Sequence, residues 1–297
     1  MASQRQSPLP TSILASWLDK PNTQQRSTRY NLSDWYHVTQ ANLSLRVRLC
    51  HPPGRFPQGP SRGLHNVQRR LEPRLKRFID HPNIGAMCFA TIDGSTDPAT
   101  SQPTVAVVSP FYSAPIMDHR RLTEGQKTKW MAEICEAVGH LHKNGIVHGN
   151  IHPRNIFILE GRAILTDACL YDLTARHIMS GLDEECQYEI QHPETLACKS
   201  SSAIRGFQPA FPKDLPTQQD DIFALAITLC MISNGEELWK FLTPTQKIIK
   251  IERCGHRHLE KPDAMTEDVW QAIQAVIYEG SPATPTIQDI IQLLRGF

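Results

Sequence analysis

Polar and apolar positions alternate in the first third of the chain in a way that predicts strands. Between 43 and 49 every second residue is leucine or valine, and a serine and two arginines stand between them. This period of two is typical of a half-buried strand. Two further apolar runs, 84–92 and 104–109, flank the polar loop DGSTDPATSQP and predict a long hairpin.

Helical periodicity dominates the remainder. Apolar residues three or four positions apart predict a long helix from a capping box at Thr123 to Lys143. Its buried stripe is Trp130, Ile134, Val138 and Leu141. Further helices are predicted over 64–78 (interrupted at Pro73), 221–232 and 266–278, and a small hairpin over 156–166, bent at Glu160-Gly161. The helix at 221–232 is apolar nearly all round, so we expect it to be buried and central.

This distribution predicts an α+β protein with two lobes. Residues 1–29 are rich in Ser, Gln, Pro and Arg and predict a flexible N-terminal segment. Residues 30–112 form the expected β-rich lobe, and residues 113–297 the expected helical lobe.

Composition narrows the function classes. The 297 residues carry 31 basic and 30 acidic side chains, a formal charge of +1, which favours neither nucleic acid nor a membrane surface as partner. No stretch reaches the ~18 apolar residues of a membrane helix. The chain starts without the apolar core of a secretory signal, and its eight cysteines are scattered without CxxC pairs. We therefore expect a cytoplasmic protein with reduced thiols.

One segment carries the strongest chemical signal. HGNIHPRNIFI, at 148–158, lies between the predicted long helix and the small hairpin. It resembles the catalytic loop of protein kinases, H-R-D-x-K-P-x-N followed by an apolar strand. Four more segments are similar to kinase motifs in the right order. They are HPNI at 81–84, TDAC at 166–169 in place of D-F-G, HPE at 192–194 in place of A-P-E, and DIFA at 221–224 at the start of the buried helix.

The resemblance covers roughly residues 40–295. It implies a bilobal protein-kinase-like fold, with a small β-rich N-lobe that has one main helix and a larger α-helical C-lobe. It also implies that Asp221 caps its helix and hydrogen-bonds to the backbone of the catalytic loop.

The catalytic positions depart from the family pattern. The aspartate that accepts the substrate proton in kinases is Asn150 here, and an amide cannot take up that proton. The loop lysine is His152, and the arginine of H-R-D is Gly149. These replacements predict a loss of phosphoryl transfer. The alternative is a divergent enzyme in which His148 or His152 serves as a relocated base.

The metal positions are better kept. Asn155 and Asp167 stand where the resemblance places two magnesium ligands, and both offer hard oxygen atoms. The competing interpretation is that Asn155 pins the loop by backbone hydrogen bonds and that Asp167 is a turn residue. We therefore expect a protein that requires no cofactor. Weak binding of ATP with Mg²⁺ or Mn²⁺ is the alternative that stays open.

The positions that bind the nucleotide in kinases depart further from the family pattern than the metal positions do. Residues 30–42 contain no glycine, so the Gly-rich turn that covers phosphates in kinases is missing. The resemblance places Arg46 at the lysine of the third strand and Glu72 as its ion-pair partner, or else as a solvated surface charge. Ser109 is the expected gatekeeper and Phe111 an expected hinge residue, next to Pro110, which lacks a donor.

Together these departures predict a pseudokinase, a binding or scaffolding module whose partners are other proteins. Two alternatives remain open. One is an active, divergent protein Ser/Thr kinase, and the other is an ATP-sensing switch without turnover.

Overall fold

The computed structural model describes residues 24–26, 33–40, 43–50, 81–92, 104–119, 123–168, 217–242, 246, 259–278 and 285–296. They belong to two compact units. The first contains the strands up to 50 and residues 86–111, and the second contains residues 81–85 and the described residues from 112 onward. This arrangement is the α+β fold expected from the sequence. The predicted boundaries 30–112 and 113–297 stay a prediction.

A five-stranded antiparallel sheet forms the first unit. Its strands are β1 (Gln24–Arg26), β2 (Ser33–Gln40), β3 (Leu43–Cys50), β4 (Cys88–Ile92) and β5 (Thr104–Pro110), in the order β1-β2-β3-β5-β4. The strand predicted at 43–49 is confirmed, with Leu45 and Val47 buried and Ser44 exposed. Strand β1 lies inside the segment predicted to be flexible, and the rest of that segment falls outside the described residues.

The predicted hairpin exists as β4 and β5, but its first strand begins at Cys88 and not at 84. The reason is that the preceding residues pair elsewhere. Ile84 forms a parallel bridge with Leu165, and the amide of Gly85 donates to the Leu165 carbonyl at 2.8 Å. These residues therefore belong to the helical unit.

The second unit is built on α1 (Glu124–Lys143), which follows a 3-10 turn at Ile116–Asp118. Both halves of the capping box at Thr123 and Gln126 are present, as predicted. The stripe of Trp130, Ile134, Val138 and Leu141 is buried, each at 4% exposure or less. The apolar face therefore packs inward while the polar face meets solvent.

A small antiparallel hairpin follows the loop after α1. Its strands are β6 (Ile156–Leu159) and β7 (Arg162–Leu165). Glu160 and Gly161 turn between them with φ angles of 51° and 74°, the left-handed conformation of a tight two-residue turn. Strand β7 ends directly before Thr166 and Asp167.

Helix α2 (Gln218–Asn234) is the buried centre of this unit, as its apolar composition predicts. Phe223 is 2% exposed and Leu225 is completely buried. The N-cap differs from the prediction, because Thr217 caps the helix in a capping box with Asp220. Asp221 is thereby free of the capping role and points to the loop after α1.

Two shorter helices complete the described part of this unit. Helix α3 (Glu267–Ile277) confirms the one predicted at 266–278. Helix α4 (Ile287–Arg295) was not predicted, although Thr286 and Asp289 form a capping box and Ile287, Ile290, Ile291 and Leu294 bury one face. No helix among the described residues is long and apolar enough to span a bilayer. The predicted helix at 64–78 and the HPE segment at 192–194 lie outside the described residues.

Candidate functional site

The loop His148–Asn155 connects α1 to β6. The buried carboxylate of Asp221 holds it in place. Asp221, 1% exposed, accepts hydrogen bonds from the backbone amides of His148 (2.7 Å) and Gly149 (2.8 Å). Its Oδ2 atom also lies 2.9 Å from Nε2 of His142. These contacts confirm the predicted bond between Asp221 and the loop backbone. A buried carboxylate with several donors fixes local geometry, because each lost partner would leave a desolvated charge.

Gly149 stands where the family pattern H-R-D has its arginine, and its backbone conformation is one that favours glycine. Its φ angle is 75°, in the left-handed region where a Cβ atom is disfavoured. The amide of Gly149 must point at Asp221 from this conformation. Position 149 therefore has no guanidinium, and its turn suits glycine.

His148 is completely buried, and both of its ring nitrogens are used. Nδ1 accepts from the amide of Asn150 at 3.1 Å, and Nε2 lies 3.0 Å from the carbonyl of Thr166. An acceptor at Nδ1 requires the neutral tautomer with its proton on Nε2, which then donates to that carbonyl. Burial lowers the pKa of His148, although the nearby Asp221 charge opposes the shift. This geometry argues against His148 as a relocated general base.

Asn155 joins the end of the loop to its middle and to Thr166. Its Nδ2 donates to the carbonyl of Asn150 at 2.9 Å. Its own carbonyl accepts from the amide of Thr166 at 2.8 Å and from the Thr166 hydroxyl at 3.0 Å. The loop-pinning interpretation of Asn155 is therefore present in the structure. Asn150 itself is held through its amide and its carbonyl.

His152 closes the second half of the loop. It is 3% exposed, and its Nδ1 accepts from the amide of Arg154 at 3.1 Å. This bond caps the 3-10 turn Pro153–Asn155. At the position of the family's lysine, the His152 side chain therefore bonds to the backbone of its own loop.

Asp167 follows Thr166 and is buried at 6% exposure. Its φ angle is 64°, an unusual conformation for a residue with a side chain. Such strain is retained where the surroundings impose it, and it is more frequent at functional sites. Thr166, which sequence reasoning passed over as a partner, joins Asp167 to the loop through its bonds to Asn155.

The donor set can be tested against the magnesium ion that the resemblance implies. With Nδ2 of Asn155 committed to Asn150, the amide oxygen of Asn155 is the atom left to face an ion. Asp167 adds a carboxylate, so the pair offers the hard oxygen atoms that Mg²⁺ prefers. Among the described residues, no group of three or more His, Cys, Asp or Glu side chains is arranged to hold a metal. The fit is therefore one of ligand type.

The predicted nucleotide residues lie in the sheet unit. Arg46 on β3 is directly opposite Ser109 on β5 in the antiparallel register. Pro110 ends β5 opposite Leu45, and the amide of Phe111 donates to the carbonyl of Ser44 at 2.9 Å. Glu72, the predicted partner of Arg46, lies outside the described residues. The Arg46–Glu72 pair therefore stays a prediction.

Arg154, one residue before Asn155, makes a contact that sequence reasoning missed. Its Nε and Nη2 atoms donate to the two carboxylate oxygens of Glu237 at 2.8 and 3.1 Å. The bidentate pair joins the loop to the segment after α2. Arg154 and Glu237 are 83 residues apart in the sequence, so no local pattern predicts this ion pair.

The sequence profile described as "Protein tyrosine and serine/threonine kinase" matches residues 72–294. The chain belongs to the protein kinase family. This membership agrees with the loop between α1 and β6, with Asp221 beneath it and with Thr166-Asp167 beside Asn155.

Known members of the kinase family show the same relationship at low identity. The chain is 25% identical to human receptor-interacting serine/threonine-protein kinase 1 over 58% of its length and 26% of the relative. It is 28% identical to human kinase suppressor of Ras 2 over 63% of its length and 20% of the relative. It is 22% identical to nucleosomal histone kinase 1 of Drosophila melanogaster over 86% of its length and 40% of the relative. The chain thus spans between a fifth and two fifths of these relatives.

Proposed function

We propose that this kinase-family chain is a pseudokinase that binds other proteins and does not transfer phosphate. The observation that carries the proposal is the loop at 148–155, which is completely formed but holds Asn150 where the family has its proton acceptor. A neutral amide can orient a hydroxyl group but cannot remove its proton.

Among the described residues, the two loop histidines that could replace the base or the cation are bonded within the protein. His148 uses both ring nitrogens inside the protein, and His152 uses Nδ1 to cap a turn. On the nucleotide side, the connection between β1 and β2, residues 27–32 (STRYNL), has no glycine for a close backbone approach to phosphate. Three separate requirements of phosphoryl transfer are therefore weakened.

The fold around these positions is intact, which supports a binding role. Asp221, His148, Asn155 and Thr166 keep the loop in place by backbone contacts. A preserved scaffold with altered chemistry is what a protein-binding module requires, since a kinase fold does not by itself imply kinase activity. The names of the relatives fit either role, because one is a kinase suppressor and two are kinases.

A phosphotransfer assay on the chain with Mg²⁺ or Mn²⁺ tests the proposal. We expect no transfer above that of Asp167→Ala, to general acceptors or to the chain itself. Transfer that disappears in Asp167→Ala would overturn the proposal in favour of a divergent Ser/Thr kinase. If no transfer is found, affinity capture with the wild-type chain identifies the proteins that bind to it. Proteins that a chain unfolded by Phe223→Asp captures equally well do not recognise the folded surface.

The ATP-sensing switch is the second candidate, favoured by the oxygen atoms of Asn155 and Asp167. If these residues hold Mg²⁺, the ion would neutralise phosphate charge on a bound nucleotide. The thermal midpoint with ATP, with and without Mg²⁺ or Mn²⁺, tests it. A ligand at ~100 times its Kd adds about 2.7 kcal/mol to the folded state. A metal-dependent rise that is lost in Asp167→Ala supports the switch, and an unchanged midpoint excludes it.

A further inference from the structure

A histidine pair lies in a cleft of the helical unit. The imidazole rings of His81 and His140 lie 4.8 Å apart, centre to centre, with their planes inclined by 38°. The cleft has a volume of about 720 Å³ and is formed by α1, α4, the start of α2 and His81. We call it the α1–α4 cleft. Its titratable and charged groups besides His81 are Glu136, His140, His142 and Lys143 of α1 and Arg295 of α4, while α2 contributes Gln218 and Gln219.

His81 holds a turn through an unprotonated nitrogen. Its Nδ1 atom accepts from the amide of Asn83 at 3.2 Å, and its carbonyl accepts from the amide of Ile84 at 3.2 Å. An imidazole that accepts at Nδ1 is neutral and carries its proton on Nε2. Protonation would place an N–H at Nδ1 facing the N–H of Asn83, and the hydrogen bond would be lost.

This turn is attached to the small hairpin by three further bonds. Nδ2 of Asn83 donates to the Ala163 carbonyl at 2.9 Å, and the Asn83 carbonyl accepts from the amide of Leu165 at 2.9 Å. The amide of Gly85 donates to the carbonyl of Leu165 at 2.8 Å. Strand β7 ends at Leu165, two residues before Asp167. The turn at 81–85 is therefore bonded directly to the strand that leads to Asp167.

We propose that His81 is a pH-sensitive clasp, which releases the turn at 81–85 from strand β7 when its imidazole is protonated. This inference is independent of whether the chain transfers phosphate.

The surroundings set the direction of the response. Burial and the neighbouring His140 lower the pKa of His81, and Glu136 opposes them. Glu136 is itself paired with Arg295, so its charge is partly compensated. Because the folded-state pKa lies below the ordinary value of 6.5, the clasp stays closed at neutral pH and opens on acidification.

Amide hydrogen exchange measured by NMR tests the clasp, after correction for the intrinsic pH dependence of exchange. In the wild-type chain we expect protection of the Leu165 and Gly85 amides to fall about tenfold between about pH 7.5 and about pH 5. The amide of Leu229, inside α2, reports the loss of global stability on acidification and serves as the internal control, and protection at Leu165 and Gly85 should fall further than protection at Leu229. His81→Asn is the matched variant, because its Oδ1 atom can accept from the Asn83 amide but does not titrate. In this variant Leu165 should lose no more protection than Leu229 over the whole range.

Two further readouts make the result decisive. Ring nitrogen shifts of His81 in the wild-type chain should change from the Nε2–H tautomer to the doubly protonated form at the pH where Leu165 loses protection. His140→Gln removes the neighbouring imidazole that lowers the pKa of His81, so both changes should move to higher pH. The proposal is overturned if Leu165 protection does not depend on pH, if His81→Asn shows the same loss as the wild type, or if the two midpoints in the wild type differ.

Discussion

The loop at 148–155 and the sheet around Arg46 have diverged from the kinase pattern in different ways. The loop keeps its buried bonds, from Asp221 to His148 and Gly149 and from Asn155 to Asn150, and has replaced the side chains that act on substrate. The sheet keeps its ladder of strands, with Arg46 opposite Ser109, and lacks the glycines that would let its backbone approach phosphate. Both regions retain what folding requires. On our proposal, they differ from the family pattern in the parts that serve phosphoryl transfer alone.

The largest expected effect comes from a cavity at the centre of the helical unit. Phe223→Ala should lower the free energy of unfolding by about 3–5 kcal/mol, because Phe223 is 2% exposed and its removal leaves a cavity in α2. The exposed Gln219 on the same helix provides the control, and Gln219→Ala should change stability by less than about 0.5 kcal/mol. Denaturant midpoints measure both. A small effect of Phe223→Ala would mean that α2 is not the core of the unit.

Asp221 tests whether the buried bonds hold the loop. Asp221→Asn replaces one carboxylate oxygen by an NH₂ group that faces donors, so we expect a loss of about 2–4 kcal/mol. Amide exchange at His148 and Gly149 should accelerate more than exchange in α1. Thr217→Ala, which removes the actual N-cap of α2, is the matched control and should cost about 1 kcal/mol without this local effect. Equal effects on the loop from both variants would contradict the assigned role of Asp221.

The buried His148 predicts that stability falls on acidification. Its folded-state pKa is lowered from 6.5, so the unfolded chain binds more protons below that pH. The stability that this neutral imidazole contributes is then fully present above about pH 7.5 and is lost progressively as pH falls below 6.5. Unfolding free energies should be measured in the His81→Asn background, so that the clasp does not contribute. A free energy that rises on acidification, or that does not change, would refute the neutral buried tautomer.

Substitution of Gly149 should give the smallest change in stability. It tests whether the backbone conformation of the loop requires glycine at this position. Gly149→Ala should destabilise the protein by about 1 kcal/mol, because φ is 75° at this residue. Gly125 lies in α1 with nothing within 4 Å of an added Cβ. Gly125→Ala should therefore stabilise by about 0.5–1 kcal/mol. Opposite signs in urea unfolding support a backbone reason for the glycine in HGN, and equal signs contradict it.

Local patterns predicted much of the fold. The alternation at 43–49, the capping box at Thr123 and the apolar composition of 221–232 each correspond to an observed element. Helix α4 had equally local signals, a capping box at Thr286 and four apolar residues on one face, and was overlooked. The cap of α2 was also a local signal that was overlooked, because Thr217 and Asp220 form a capping box. The start of β4 could not be decided locally, since it depends on Leu165, which is distant in sequence.

The candidate site likewise has features that the sequence predicts and features that only the structure shows. Motif spacing identified the loop, Asn155, Asp167 and Asp221, since these positions are recognised by order along the chain. The tautomer of His148, the cap formed by His152 and the pair between Arg154 and Glu237 depend on three-dimensional contacts. Sequence therefore indicated which residues meet at the site. Only the structure showed that the two histidines are used internally.

The central claim is that the kinase loop has kept its structure and lost its chemistry. Single-turnover phosphotransfer with Mg²⁺ or Mn²⁺ tests it most directly when the wild-type chain and Asn150→Asp are compared with Asp167→Ala. We predict that Asn150→Asp remains at the Asp167→Ala background, because His152 and the glycine-free strand connection are unchanged. Transfer restored by Asn150→Asp, or present in the wild-type chain and abolished in Asp167→Ala, would contradict the account.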